Sequence, residues 1–277
     1  MKLRRAFTLI ELLVVIAIIT MLAGMVVPSL YKAKEIAKRA ACSANLKSLH
    51  NAMYMYAGEY KQYFPVCEPL ASDGNCVGAN LTVPRNPGEN GSGNSRSLFL
   101  LVRMRGITTT APADQPGYVA PQVFLCPGDL NAIKPSWTTT ALAANRDFAD
   151  YRNLSYSYQV QKSRAGAYYP TSALTPGAVA ILADRNPMSG TSTDWATYAG
   201  GGRAATPTIS RYTGNSYNHS RRGQVVLYAS ASANWTVNPQ AGSNGDNIWT
   251  PDVAGGPTAA NVTDGAPQHE FDSFLWP

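Results

Sequence analysis

The chain holds few side chains suited to catalysis. Its three histidines, His50, His219 and His269, lie far apart in sequence. A nucleophilic triad needs Ser or Cys, His and an acid brought to one place. No serine here sits in a G-x-S-x-G turn, and His219 beside Ser220 reads as a surface loop residue. Gly200-Gly201-Gly202-Arg203 lacks the Gly-Lys-Ser/Thr of a phosphate-cradling loop and reads as a flexible turn. Asp246-Asn247 with Asp252 and Asp264 offers oxygen ligands of the kind calcium takes. No EF-hand spacing is present, so these acids read as turn caps. Calcium is the one cofactor the sequence leaves open; otherwise it implies no cofactor and no metal ligands.

The remaining reactive groups are Cys42, Cys67, Cys76 and Cys126. No pair has the C-x-x-C spacing of a zinc or redox site. An even number in an oxidising compartment favours disulfides, with three connectivities open. Cys67 and Cys76 flank a Ser72-Asp73-Gly74-Asn75 turn and could close it locally. That would leave Cys42 to meet Cys126.

One carboxylate stands out by its surroundings. Glu11 lies inside Phe7 to Val27, a run otherwise almost wholly apolar. The run matches the roughly 20 residues that a bilayer-spanning helix needs. An acid within such a segment costs about 2.5–3.5 kcal/mol near its middle, less near an end. Glu11 is therefore expected to be neutral, near the headgroups, or paired with a cation. Met1-Lys2-Leu3-Arg4-Arg5-Ala6 ahead of the run is short and basic, which keeps the N-terminus cytoplasmic and exports the rest. An ordinary secretory signal has an apolar core of only about 7–15 residues ending in a small-residue cleavage site; this run instead continues into a helix.

Arg4-Arg5-Ala6 followed by Phe7-Thr8-Leu9-Ile10-Glu11-Leu12 resembles the N-terminal signature of type IV prepilins and type II secretion pseudopilins. The resemblance implies that a prepilin peptidase cuts between Ala6 and Phe7 and that the new Phe7 amine is methylated. Glu11 becomes the fifth mature residue, where the family carries a glutamate. The family prefers Gly before the cut, so Ala6 is a departure that bears on processing efficiency. The physics of Glu11 fits this role, because a charge in lipid gains most from an opposite charge in the same low-dielectric layer. The Phe7 amine of an adjacent subunit is such a charge, and pairing would set the axial stagger between subunits.

Beyond the run, Pro28 removes a helical hydrogen bond and crowds the preceding turn; in the resembled family a proline here bends the spine. From Ser29 to about Tyr60 the pattern is amphipathic. Ile36, Ala40, Leu46, Leu49, Met53, Tyr56 and Tyr60 form its apolar face, with Lys32, Lys34, Lys38, Arg39 and Lys47 between them. A helix over 7–60 would be about 80 Å long. The domain plan is thus a leader over 1–6, a helix over 7–60 (7–27 in the membrane, 28–60 amphipathic) and an exported β-rich domain over 61–277.

Within that domain, Cys67 to Arg96 reads as a long surface loop. Ser97 to Arg105 reads as a short helix packed through Leu98, Leu101 and Val102, and Gln122 to Leu125 as a brief strand. Thr138 to Asp150 is ambiguous. Leu154 to Gln161 alternates Tyr156, Tyr158 and Val160 against serines and glutamines, as a strand does. Val179 to Ala183 suits a central strand, and Gln224 to Ala229 with Ala233 to Val237 a hairpin. Asn45 to Ala57, Phe124-Leu125-Cys126-Pro127, Asn218 to Gln224 and the ending Asp272 to Pro277 resemble the large-ectodomain pilin-like proteins of planctomycete-type bacteria. That group has Asp-Gly and then His at the hairpin turn, where this chain has Ser230-Ala231-Ser232. Ser-Ala does not suit the positive φ angles of a tight turn, so a different or wider turn is expected.

Charged residues make up 14% of the chain, against a typical value of about 25%. The formal charge of +6 includes Lys2, Arg4 and Arg5. Without them 20 basic side chains face 17 acidic ones, which is no nucleic-acid footprint. The expected protein is α+β and pilin-like, one long helix packed on an antiparallel sheet with long loops, and not an enzyme. The resemblance implies an inner-membrane, single-pass subunit with a periplasmic C-terminal domain that later joins a filament at the cell surface. Its partners would be prepilin peptidase, other pilin or pseudopilin subunits and the inner-membrane assembly platform. The alternatives are a tethered binding module for glycan or metal, which the aromatic-rich domain permits, and an anchored hydrolase, which the scarcity of His and paired acids opposes.

Overall fold

The computed structural model describes residues 8–66, 94–102, 117–134, 148, 151–159, 171–186, 215–249 and 275–276. Its first element is α1, Leu9–Glu59, 51 residues and about 76 Å long, with Pro28 inside it. The one-helix expectation holds to within two residues at its start and one at its end. Thr8 is the N-cap. Its hydroxyl accepts from the Glu11 N–H, and the Glu11 carboxylate accepts from the Thr8 N–H at 2.9 Å. The two close a capping box, which satisfies donors that a helix start otherwise leaves open.

Two environments divide α1. Residues 8–34 are exposed throughout, whereas Cys42, Leu46, Leu49, His50, Ala52, Met53, Tyr56 and Ala57 are buried. The buried positions recur at three- and four-residue steps, so one stripe faces the domain. The expected stripe needs correction at Ile36, Ala40 and Tyr60, which are exposed. The domain first meets the helix through Glu35, Lys38 and Arg39, which are half-buried, and apolar contact begins at Cys42.

A short helix α2, Asn94–Phe99, starts three residues before its expected place and buries Leu98; Leu101 and Val102 are buried just beyond it. The expected strand at Gln122 to Leu125 is instead a 3-10 turn, Pro121–Phe124. Pro121 stands at its start, where a fixed φ and a missing N–H suit a helical turn.

The sheet contains β1 (Tyr156–Gln159), β2 (Ala180–Asp184), β3 (Gln224–Tyr228), β4 (Ala233–Thr236) and β5 (Leu275–Trp276). Its order is β4-β3-β2-β1-β5, with every neighbouring pair antiparallel. Alternation puts Tyr156, Tyr158, Val225 and Leu227 in the core shared with α1. Val226, Ala180 and Ala183 join Ile248, Trp249 and Leu275 in a second cluster. All four residues of β1 and all five of β2 are buried, as befits strands covered on both faces.

The hairpin forms with the wider turn its sequence implies. Leu227 pairs with Ala233, and the Ala231 N–H donates to the Tyr228 carbonyl at 2.9 Å. Ala231 takes φ 65°, the left-handed position that closes a three-residue hairpin loop. The Ala229 carbonyl lies 3.4 Å from His50 Nε2, so the loop docks on α1.

Candidate assembly site

The first candidate surface is the exposed start of α1. Leu9, Ile10, Leu12, Leu13, Ile16, Ile19 and Leu22 belong to a run that is exposed throughout among the described residues. One contiguous apolar face of that size marks a membrane or subunit contact. The segment is long and apolar enough to cross a membrane. Glu11 sits in its first turn, with its carboxylate engaged by Thr8 Oγ1 at 2.7 Å. It is thus near the end of the apolar run and hydrogen-bonded, where its cost is smallest. Thr8-Leu9-Ile10-Glu11 is a T-x-x-E signature, a sequence signal for this cap that the family motif overshadows. Pro28 lies within the exposed part of the helix. Ala6 and Phe7 lie outside the described residues.

The second feature is the joint that fastens α1 to the domain. Cys42 and Cys126 are bonded, with Cα atoms 5.2 Å apart. The connectivity considered for the spine is thus the one that forms; Cys67 and Cys76 lie outside the described residues. Around the bond the joint is polar. His219 Nδ1 lies 3.1 Å from Glu35 Oε1 of α1. Its Nε2 lies 3.6 Å from Asp184 Oδ2 and 3.5 Å from Cys126 Sγ. Asn45 of α1 donates to the Leu125 carbonyl at 2.9 Å and to the Tyr156 hydroxyl at 3.3 Å. Arg39 lies over the Trp235 ring at 3.9 Å, a contact worth about 0.5–2 kcal/mol.

His219 departs from the surface position expected of it, since it is buried. The 3-10 turn Tyr217–His219 is capped by the Ser216 hydroxyl, and Ser220 and Arg221 take φ 55° and 59° to reverse the chain into β3. This turns the imidazole inward. Gly128 makes the room: a Cβ there would stand 2.5 Å from the His219 Cε1.

Asp184 sits at the end of β2 with no exposure, accepting from the Val225 N–H at 2.7 Å and from the Asn218 amide at 3.0 Å. Burial pushes its carboxyl up from the ordinary value, against the pull of His219 and those two donors. Burial and the nearby Asp184 push the Tyr156 hydroxyl well up. Beside them Arg185 pairs with Asp129 at 2.8 Å, and the Ser155 hydroxyl also donates to Asp129. No single stretch of sequence signals this cluster, because its members come from five separate segments.

At the other end of the domain, the Asn247 side chain accepts from the Trp249 N–H at 3.1 Å, the turn-capping role expected of it. Asp252, Asp264 and His269 lie outside the described residues, as do Gly200 to Arg203.

An exposed apolar helix start with a capped glutamate, joined to a small antiparallel sheet, makes an α+β, pilin-like fold whose one such helix among the described residues is long and apolar enough to span a membrane. Residues 1–27 match the family described as the prokaryotic N-terminal methylation motif. The chain is similar to the type II secretion system core protein G of Escherichia coli (strain K12), 34% identical over 96 residues, which are 30% of this chain and 66% of that protein. It is also similar to the type IV major pilin protein PilA of Myxococcus xanthus (strain DK1622), 39% identical over 59 residues, covering 21% of this chain and 27% of that protein. The core protein G of Klebsiella pneumoniae is 41% identical over 63 residues, 23% and 45% of the two chains. The chain therefore spans under two thirds of the length of each of these relatives. No solved structure matches it.

Proposed function

We propose that the chain is a structural subunit of a type IV pilus or a type II secretion pseudopilus. The observation that carries this reading is the division of α1, exposed and apolar over its first part and fastened to the domain over its second. A helix that buries only half its length in its own domain must bury the rest in lipid or among other subunits. On this reading prepilin peptidase cleaves between Ala6 and Phe7, residues 7–27 hold the subunit in the inner membrane with the domain periplasmic, and the assembly platform then moves it into a filament. Glu11 pairs with the Phe7 amine of a neighbour during that transfer, and Pro28 marks where the spine adapts to its packing. The protein works by assembly, without a reaction of its own.

Mass spectrometry of the N-terminus from the native membrane fraction tests this. The expected result is a mature chain beginning at N-methylated Phe7. An intact Met1 in functional protein refutes the pathway. Glu11→Leu then separates assembly from tethering: membrane insertion should persist while incorporation into filaments is lost. Normal assembly of that variant would refute the charge pair.

A further inference from the structure

The disulfide of the joint lies among two other metal-ligating side chains. One donor atom each from Cys42, Cys126, Asp184 and His219 lies within 4.8 Å of the others, and all four residues are buried. We propose that these four side chains form a zinc site when the Cys42–Cys126 bond is reduced, so that zinc and the disulfide are alternative closures of one joint. The proposal does not depend on filament assembly.

Three observations carry it. Tetrahedral zinc with its usual bond lengths sets an S···N edge of about 3.5 Å and an N···O edge of about 3.4 Å. The His219 Nε2 to Cys126 Sγ and Asp184 Oδ2 separations, 3.5 and 3.6 Å, already have those lengths. The imidazole is also oriented as a ligand. In the tautomer that donates Nδ1–H to Glu35, the Nε2 lone pair faces two acceptors, a carboxylate oxygen and a sulfur. A cation between the three resolves that meeting of acceptors, and a carboxylate behind the distal nitrogen is the usual support for a metal-bound histidine. Finally, the other acceptor needs are met. Asp184 keeps its Val225 and Asn218 donors, and Cys126 Sγ accepts from the Gly128 N–H at 3.3 Å. Thiolate, imidazole and carboxylate together suit zinc better than calcium or magnesium, which prefer oxygen alone.

The chemistry balances. A dithiol reductant gives the disulfide two electrons and two protons and leaves as its own disulfide. Cys42 and Cys126 become thiols, zinc displaces both protons to solvent, and the sulfurs part to about 3.8 Å across the metal. The ligands are then two thiolates, His219 Nε2 and Asp184 Oδ2. In this state zinc ties α1 to the 121–126 segment and to β2, as the disulfide ties the first two.

The test uses the full-length mature protein in detergent micelles, carrying Cys67→Ser and Cys76→Ser so that one cysteine pair remains. The protein is unfolded in urea with a water-soluble phosphine, which reduces the bond and takes up an oxygen atom from water, and is refolded without dioxygen in the presence of Co2+ alone or Zn2+ alone. The expected result is one cobalt per chain, with the visible bands of a tetrahedral ion and a thiolate charge-transfer band that zinc abolishes. Oxidised protein should show neither band. Glu35→Gln should weaken binding about 10–100-fold with the spectrum unchanged, since Glu35 only orients His219. Three outcomes overturn the proposal: a reduced, folded chain that takes up no cobalt, a spectrum without thiolate character, or an affinity indifferent to both Glu35→Gln and His219→Gln. A reduced chain that will not fold with metal present, although the oxidised chain folds, also overturns it, because metal would then not replace the bond.

Discussion

Removing the disulfide should be the costliest change to the joint. Cys42 and Cys126 are 84 residues apart in sequence, so their bond closes a long loop in the unfolded chain. For a loop of that size the chain-entropy relation gives about 4.5 kcal/mol at room temperature. The double variant Cys42→Ala/Cys126→Ala adds no polar group to the core, so the loss is dominated by the released loop. Domains have total stabilities of only about 5–15 kcal/mol. At about 2–4 °C per kcal/mol for a domain of this size, the melting temperature should fall by roughly 9–18 °C. The assay is thermal unfolding of the full-length protein in micelles and metal-free buffer, followed by near-ultraviolet circular dichroism. That signal reports the packed aromatic side chains of the domain and ignores the micelle-held helix. A fall below about 3 °C would refute the reasoning, because it would mean that residual structure in the unfolded chain already holds the two ends of the loop together.

Three further outcomes follow from the same contacts. Burial lowers the His50 pKa from its ordinary 6.5, so the unfolded chain binds its proton first. Stability is therefore full above about 6.5 and is lost as pH falls toward the lowered folded value. His50→Gln should flatten the urea midpoint across that window, and an unchanged slope would count against it. Gly128→Ala should destabilise the domain by about 1–3 kcal/mol or more, since its Cβ meets the His219 ring and the Asn218 carbonyl; a denaturant midpoint equal to wild type would show that the ring can move aside. Ala231→Gly should raise stability by about 0.5–1 kcal/mol, because the left-handed cost at φ 65° is removed and only part of it returns as unfolded-chain entropy.

What the sequence showed and what it hid divide by how local the information is. The helix, its apolar first half, Glu11 and Pro28 lie in one contiguous stretch, where an unbroken apolar run followed by an amphipathic one can be read directly. β2 was legible because A-I-L-A is a short apolar run of the kind that forms buried strands. β1 was legible through its alternating tyrosines, and the hairpin turn through the poor fit of Ser-Ala to a tight turn. Gln122 to Leu125 misled because three apolar residues look alike in a strand and in a 3-10 turn; Pro121 was the discriminating signal. Ile36 and Ala40 misled because a helical stripe records which side is apolar, not where along the axis the domain begins. His219 was hidden for a deeper reason. Its burial depends on Glu35, Gly128 and Asp184, which no spacing rule connects to it.

The placement of the joint explains why it is built this way. The apolar contact between α1 and the domain begins at Cys42, next to the exposed half of the helix. Any pull or bend on the membrane-facing half acts first at that end, where separation would open the contact like a peeled strip. Leu46, Leu49 and Met53 further along are each worth about 1.5–3 kcal/mol, but peeling meets them one at a time. A covalent bond at the leading edge makes the whole contact share the load. The Glu35–His219 pair and the Arg39–Trp235 contact lie one to two turns ahead of it, toward the membrane, and shield that edge from water. The strongest fastener thus stands where a load on the exposed half of the helix would otherwise begin to peel the domain away.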